Sequence, residues 1–402
     1  MSSFENDSTA SAASTLDLWR SLCEAADDDG LLSFRQYMDI ALYGPGGYYQ
    51  RQVRLGRAGA DFYTAAQFPL FGLTLGRYIY QLWQRSERRA MPSIVEFGPG
   101  QGELAYWVCT YLLSVLGEQD TGAGRLEYSL VERSDYLRQV QKQRLAPLSE
   151  RIDFNWLEPY DVGRLNGEAE HAFVIANELL DALPVERVRR AKDGFEQGFV
   201  HVAGVARPDA PLKEVFLPAD ERLRELAQKY TPVPQSHSAE VCRDYDEVFR
   251  ACASLAREID GVLFDYGIFA HEWKAGIRPQ GTLRAFRKHT LANVLHQPGE
   301  ADITADVNWD LARDAASCAG VLVEDILTQG SFLMRNGIMD VAMELTQQNG
   351  STPLSRELGH GESKAGLSTT SALKQLVLPG GMGERFSAFV FTKRGGSGEQ
   401  RC

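Results

Sequence analysis

Ile94-Val95-Glu96-Phe97-Gly98-Pro99-Gly100-Gln101-Gly102-Glu103-Leu104 reads as a strand that runs directly into a glycine-rich turn and then into a helix. Glycines in such a turn let the backbone approach a ligand closely, and the helix behind them presents free N–H groups. Outward from this turn the chain alternates short apolar runs with helical lengths. The runs are Ser93 to Phe97, Glu127 to Val131, Ala172 to Ala176 and Gly261 to Asp265, each bounded by polar turns. That alternation predicts βαβ units and a parallel sheet, an α/β fold.

The 402 residues are enough for a large core with additions or for two to three domains. Residues 1–15 read as a polar tail. Residues 16–90 read as a mostly helical extension, broken at Tyr43-Gly44-Pro45-Gly46-Gly47-Tyr48-Tyr49 and at Asp61-Phe62-Tyr63-Thr64. The core is expected over 91–345, with a Pro-bearing insertion at about 206–245. Residues 346–371 read as a polar loop, and 372–402 hold a last strand at Phe386 to Lys393 and a tail. The tyrosines beside the glycine turn either wall a substrate groove or cover a core edge.

With 44% hydrophobic and 24% charged residues the chain is of the soluble globular type, and collagen-like, coiled-coil and disordered classes are excluded. Lys and Arg number 42 against 54 Asp and Glu, a formal charge of −12. That balance argues against nucleic acid and anionic membranes as partners, since both require a basic face. Six cysteines lack any Cys-x-x-Cys pair and seven histidines lack ligand spacing, so no metal site is expected. No apolar run reaches the roughly 20 residues that span a bilayer. The first fifteen residues carry Glu5 and Asp7, no Arg and no apolar core, which leads to the expectation of a cytoplasmic protein.

A dinucleotide fingerprint would place its third glycine at position 103, where the chain has Glu103. An acid in the first helical turn repels a pyrophosphate that needs the same helix N-terminus, and Pro99 removes a further donor. S-adenosylmethionine, with an adenosine and an amino acid but no phosphate, meets no such conflict, and Glu96 would face its cationic groups. The next run ends in Glu132, an acid placed to accept hydrogen bonds from two ribose hydroxyls. The plain alternatives are a structural turn and, for Glu132, a solvated cap of the helix beginning at Ser134.

Phe173-Val174-Ile175-Ala176 leads into Asn177-Glu178-Leu179-Leu180-Asp181-Ala182-Leu183-Pro184, at the end of a strand where open α/β sheets bind ligands. Amide and carboxylate groups there would hold a nitrogen nucleophile in line with a methyl donor. For a guanidinium, Glu178 and Asp181 would neutralise the charge and localise it away from the attacking nitrogen. Alternatively Asn177 caps a helix, with the two acids in its first turn.

Several segments together resemble one family, the MidA-type methyltransferases that include the mitochondrial complex I assembly arginine methyltransferase. They are Phe34-Arg35-Gln36-Tyr37-Met38 with Ala41-Leu42-Tyr43 and Gly47-Tyr48-Tyr49, Asp61-Phe62 with Thr64 and Phe71-Gly72, and Val95 to Gly100. Leu130-Val131-Glu132, Asn177-Glu178 with Asp181 to Pro184, Asp265-Tyr266-Gly267, Gly281-Thr282-Leu283, Asp302-Ile303-Thr304 and Met382-Gly383 follow in order. The resemblance implies a Rossmann-like class I methyltransferase sheet with an N-terminal helical extension and an insertion, S-adenosyl-L-methionine as cofactor, and arginine methylation of a partner protein. It implies cofactor contacts at Gly98, Gly100 and Glu132, a covering loop with Asp61 and Thr64, and substrate orientation by Asn177, Glu178 and Asp181. Asp265 to Gly267 and Gly281 to His289 would form the substrate-side wall.

The chain departs from the family pattern at Gln67, where an acid is common, and at Asn308-Trp309, where Asp-Phe is usual. Those changes bear on the substrate. An assembly protein that keeps the cofactor pocket without turnover, and a methyltransferase for a small molecule or another side chain, stand as alternatives.

Overall fold

Runs of branched and aromatic residues build the central sheet. The computed structural model describes residues 15–50, 64–86, 91–116, 125–162, 169–202, 212–287, 290–346, 354 and 369–395. Asp61 and His289 lie outside the described residues.

Six helices position the site: α1 (Phe34–Tyr43), α2 (Pro69–Arg85), α3 (Glu103–Leu116), α4 (Asp135–Leu145), α5 (Tyr245–Ser254) and α6 (Trp309–Cys318). The central strands are β1 (Ser93–Phe97), β2 (Leu126–Val131), β3 (Ile152–Leu157), β4 (Ala169–Asn177), β5 (Ala256–Asp265), β6 (Leu322–Thr328) and β7 (Ser387–Lys393). They lie in the order β6-β7-β5-β4-β1-β2-β3, with β1 to β5 parallel and β7 antiparallel between β5 and β6. The order reverses between β1 and β4, and in such sheets the crevice for a ligand opens at the carboxyl ends of those two strands.

The four runs recognised in the sequence are β1, β2, β4 and β5, all inside the sheet and buried on both faces. The two that carried no signal, β3 and β6, are its outer edges. They hold Asp153, Asn155, Glu324 and Asp325, polar side chains that break the apolar run and suit an edge exposed to water.

A second, five-stranded antiparallel sheet joins Leu31–Ser33 to Val185–Ala191, Gly194–His201, Lys213–Pro218 and Ser238–Cys242. The inserted strands therefore begin at Val185, well before the stretch at about 206–245. α1 starts from Leu31–Ser33, with Ser33 and Gln36 forming a reciprocal capping box.

α2 belongs to the packing of the central sheet rather than to an outlying extension. A Cβ on Gly72 would stand 2.5 Å from Trp107 Cβ, and one on Gly76 would stand 2.7 Å from Tyr111 Cβ. The two glycines let α2 and α3 approach closely, and both helices share one hydrophobic cluster with β1, β2 and β4.

Candidate cofactor and substrate site

The register fixes the site before any side chain is considered. Phe97 pairs with Val131 of β2 and with Ala176 of β4, so Gly98, Glu132 and Asn177 emerge side by side from neighbouring strands. Gly98, Gly100 and Gly102 have φ of 63°, 53° and 79°, a region that a side chain with Cβ enters at a cost. The Gly98 N–H donates to Val131 O at 3.0 Å, which ties the turn to β2. A cavity of about 670 Å³ opens over these strand ends, in the range of small-molecule sites.

Its lining includes Glu96, Gly98, Gly100, Glu132, Thr64, Asn177 and Glu178. Glu96 is buried and accepts from the Tyr128 hydroxyl at 2.6 Å; burial pushes its pKa up to about 7, with Tyr128 opposing and Glu132 adding to the rise. Glu132 accepts from Ser134 N at 2.7 Å and from Gln141 Nε2 at 3.2 Å, and burial raises it to about 7 as well. It is buried rather than a solvated cap; the cap of α4 is the Ser134 side chain, on Leu137 N. Glu103, at the head of α3, pairs with Arg144 at 3.3 Å.

Thr64 brings the N-terminal region to the end of β4. Its hydroxyl oxygen accepts from Asn177 Nδ2 at 2.9 Å, and the same Nδ2 lies 3.1 Å from Glu178 Oε1. Asn177 is 8% exposed, and its Oδ1 has no hydrogen-bond partner among the described residues. Glu178 has φ 55°, unusual for a residue with a side chain, and its N–H donates to Phe264 O at 2.8 Å. The pKa of Glu178 is pushed up to about 8, by burial first and then by the charge of Asp181, while hydrogen bonds from Thr64 and Asn177 oppose the rise. Asn177 caps no helix here, because the chain turns through Glu178 without forming one.

Asp181 is not brought to the cavity. It is 3% exposed; burial raises it to about 6, with the Tyr266 hydroxyl and Arg284 opposing. The adjacent Asp265 accepts from the N–H groups of Leu180, Asp181 and Tyr266 at 2.9, 3.2 and 2.9 Å, so it shapes the loop after β4. Arg284 pairs with Asp306 and lies 4.7 Å from the Tyr266 ring centroid. Gly281 has φ 83°, and its Cβ would collide with Glu240 Oε1 at 2.1 Å, a close approach of the loop to a strand of the second sheet.

Tyr43 and Tyr49 line the cavity, stacked at 5.3 Å; Tyr49 donates to Asp302 Oδ1 at 2.8 Å and Tyr43 to Ala182 O at 3.0 Å. Sequence reading missed Arg35 with Asp244, paired at 2.6 Å, and Asp39 with Arg133, at 3.1 Å, all four on the cavity wall. It also missed Glu158, which directly follows the unrecognised β3. The departure at Asn308 lies away from the cavity: its Oδ1 accepts from Leu311 N at 3.0 Å as the cap of α6, and its Nδ2 donates to Tyr230 O at 2.7 Å.

A family model for S-adenosyl-L-methionine-dependent methyltransferases matches residues 74–326. The chain is 28% identical to the protein arginine methyltransferase NDUFAF7, mitochondrial, of Xenopus laevis, over 90% of this chain and 80% of that protein. It is 29% identical to the protein of the same name from Danio rerio, over 90% and 83%. A COG1565 superfamily protein of Burkholderia thailandensis, crystallised with S-adenosyl-homocysteine, superposes with a TM-score of 0.78 at 28% identity, covering 97% of this chain and 95% of that one. The names of the Xenopus laevis and Danio rerio relatives correct the expectation of a cytoplasmic protein, since both are named mitochondrial. That expectation rested on the composition of residues 1–15, which states what the segment lacks and assigns no compartment.

Proposed function

The chain belongs to the S-adenosyl-L-methionine-dependent methyltransferases, and from that premise we propose that it methylates an arginine side-chain nitrogen of a partner protein. The observation that carries the choice of a cation is the cavity wall, which holds eight acidic side chains, four of them paired with arginines, against two guanidinium groups. The arginine methyltransferase names of the relatives support the same substrate.

Bound here, the cofactor supplies an electrophilic methyl group on a sulfonium. Gly98 and Gly100 give it close access to the backbone, Glu132 accepts from the ribose hydroxyls, and Glu96 faces the amino acid portion. The unpartnered Asn177 Oδ1 supports this fit: a buried acceptor at the junction of the two binding regions is costly unless a ligand N–H meets it. Asn177 Oδ1 and the Glu178 carboxylate hold the guanidinium so that one nitrogen faces the methyl group, and orientation of this kind supplies much of the rate. Burial and Asp181 raise the Glu178 carboxyl to about 8 in the free site; an entering guanidinium favours its ionised form, and that carboxylate accepts the proton the methylated nitrogen releases. Thr64 fixes Asn177 and Glu178 rather than touching the methyl donor. Asp181 acts on Glu178 through its charge, without contacting substrate.

Labelled methyl transfer to proteins of a cell lysate, compared for the native chain and Glu178→Gln, tests the assignment. The expected result is a loss of at least about tenfold in transfer rate with S-adenosyl-homocysteine binding retained. Equal rates would remove Glu178 from the reaction.

A further inference from the structure

Gln141 belongs to none of the strand-end motifs, yet its carboxamide joins three parts of the cofactor site. It sits inside α4 and is fully buried. Its Nε2 donates to Gly100 O at 2.8 Å and to Glu132 Oε2 at 3.2 Å, and its Oε1 accepts from Trp156 Nε1 at 3.0 Å. One side chain thus spans the glycine turn after β1, the acid after β2 and an aromatic residue of β3.

The geometry has a direction. An indole N–H only donates, and a peptide carbonyl only accepts. Trp156 therefore holds the amide oxygen toward β3 and turns both N–H groups toward Gly100 and Glu132. In the flipped amide, an oxygen would face two acceptors and an N–H would meet the indole N–H. The other Glu132 oxygen is held by Ser134 N at 2.7 Å, so the backbone and Gln141 together fix both ends of the carboxylate.

We propose that Gln141, oriented by Trp156, is a positioning residue that sets Glu132 and the Gly100 peptide for the nucleoside half of the cofactor. The proposal rests on the reading of Glu132 as the ribose acceptor. An N–H donor favours the ionised carboxylate, which is the form that accepts from ribose hydroxyls. The charged and titratable neighbours of Glu132 are Glu96 across β1, Arg138 on α4 with its partner Glu158, the adjacent Arg133, and Tyr43 on α1. None of them changes when Gln141 is replaced. Affinity for the cofactor falls as pH is lowered through the Glu132 pKa, which burial has raised to about 7. Loss of the Gln141 N–H raises that pKa further and moves the fall to higher pH.

Calorimetry with S-adenosyl-homocysteine on the full chain, from about pH 6 to 9 across the Glu132 titration, tests this with Gln141→Leu, Trp156→Phe, the double variant and Glu132→Gln. Gln141→Leu is expected to bind about tenfold more weakly near pH 7, with its pH midpoint displaced upward, and Trp156→Phe about threefold more weakly. The double variant should be no weaker than Gln141→Leu, because Trp156 acts only through Gln141. Affinity of Gln141→Leu within about twofold of the native chain at an unchanged midpoint overturns the proposal, as does a double variant that loses the product of both effects. If Gln141→Leu does not fold, Trp156→Phe decides: an upward displacement with weaker binding supports the proposal, and native affinity overturns it. Unchanged binding by Glu132→Gln would refute the ribose reading itself. Weakened Glu132→Gln beside native-like Gln141→Leu would refute only the positioning role.

Discussion

Replacing Gly98 by Ala places one methyl group at the point where β1 hands the chain to the turn. Two costs can be read from the structure. Gly98 has φ 63°, and its N–H is held by Val131 O at 3.0 Å, so the backbone does not relax freely to negative φ. A left-handed conformation costs a residue with Cβ about 1 to 2 kcal/mol. The new Cβ would stand 3.0 Å from Leu179 Cδ1, a contact the end of a leucine side chain relieves by moving a few tenths of an ångström. The expected loss of stability is therefore about 1 to 2 kcal/mol, almost all from the backbone. Gly320 provides the control: it has φ 75°, and nothing lies within 4 Å of its Cβ position. Gly320→Ala should lose a similar amount by urea denaturation while binding S-adenosyl-homocysteine as the native chain does. Gly98→Ala should in addition lose at least about tenfold in affinity by calorimetry, because Gly98 lines the cavity and a methyl group there hinders close approach to its backbone. Binding by Gly98→Ala within about twofold of native would refute the claim that this turn carries the cofactor.

Glu178→Gln removes a carboxyl whose folded pKa, about 8, stands above its ordinary value of 4.5. Below 4.5 both folded and unfolded chains hold it neutral, and between 4.5 and about 8 only the unfolded chain ionises it freely. The stability of the variant relative to native should rise across that window and level off above it, as measured by denaturation at a series of pH values; a pH-independent difference would contradict the raised pKa. Asn308→Ala should cost about 1 to 3 kcal/mol, for a lost helix cap and an unsatisfied Tyr230 carbonyl, with cofactor affinity unchanged by calorimetry. Gly72→Ala should destabilise by about 1 to 3 kcal/mol in urea, because its Cβ would meet Trp107 Cβ at 2.5 Å and force α2 from α3.

What was legible in the sequence follows burial. β1, β2, β4 and β5 are covered on both faces and therefore read as apolar runs, whereas β3 and β6 mix acids into an exposed edge. Missing β3 also hid Glu158, since an acid at a strand end is visible only once the strand is. The second sheet was hidden for a different reason: Val185-Glu186-Arg187-Val188-Arg189-Arg190-Ala191 keeps only a few apolar positions and spends its polar ones on ion pairs such as Arg187 with Glu214 at 3.2 Å and Arg189 with Glu196 at 2.6 Å.

At the site, the glycine turn, Glu132 and the Asn177-Glu178 pair were readable because strand ends of a parallel sheet meet at one edge. The orientation of Asp181 was not. Spacing in a loop does not reveal that Asp265 accepts from two successive N–H groups and turns Asp181 toward Tyr266. The Asn308 departure looked like a change of substrate in one dimension and is a helix cap in three. Gln141 gave no signal at all, because a glutamine within a polar helix is ordinary until its three partners are seen together.

Asp181 raises the two carboxyl groups beside it at the ends of β4 and β5. Glu178 is lifted by burial and Asp181, and Asp265 is held well above the usual range by burial, Asp181 and Glu178. A cation entering this region relieves that repulsion, which links the electrostatics of the fold to the proposed substrate.

The central claim is transfer of a methyl group to an arginine nitrogen of a protein. Incubation of the full chain with methyl-labelled S-adenosylmethionine and a cell lysate, followed by hydrolysis of the protein fraction to amino acids, measures it directly. The account predicts that label is recovered in methylarginine and is lost with Glu178→Gln. Label recovered in another amino acid or in the small-molecule fraction, or no label from a chain that binds the cofactor, would contradict it.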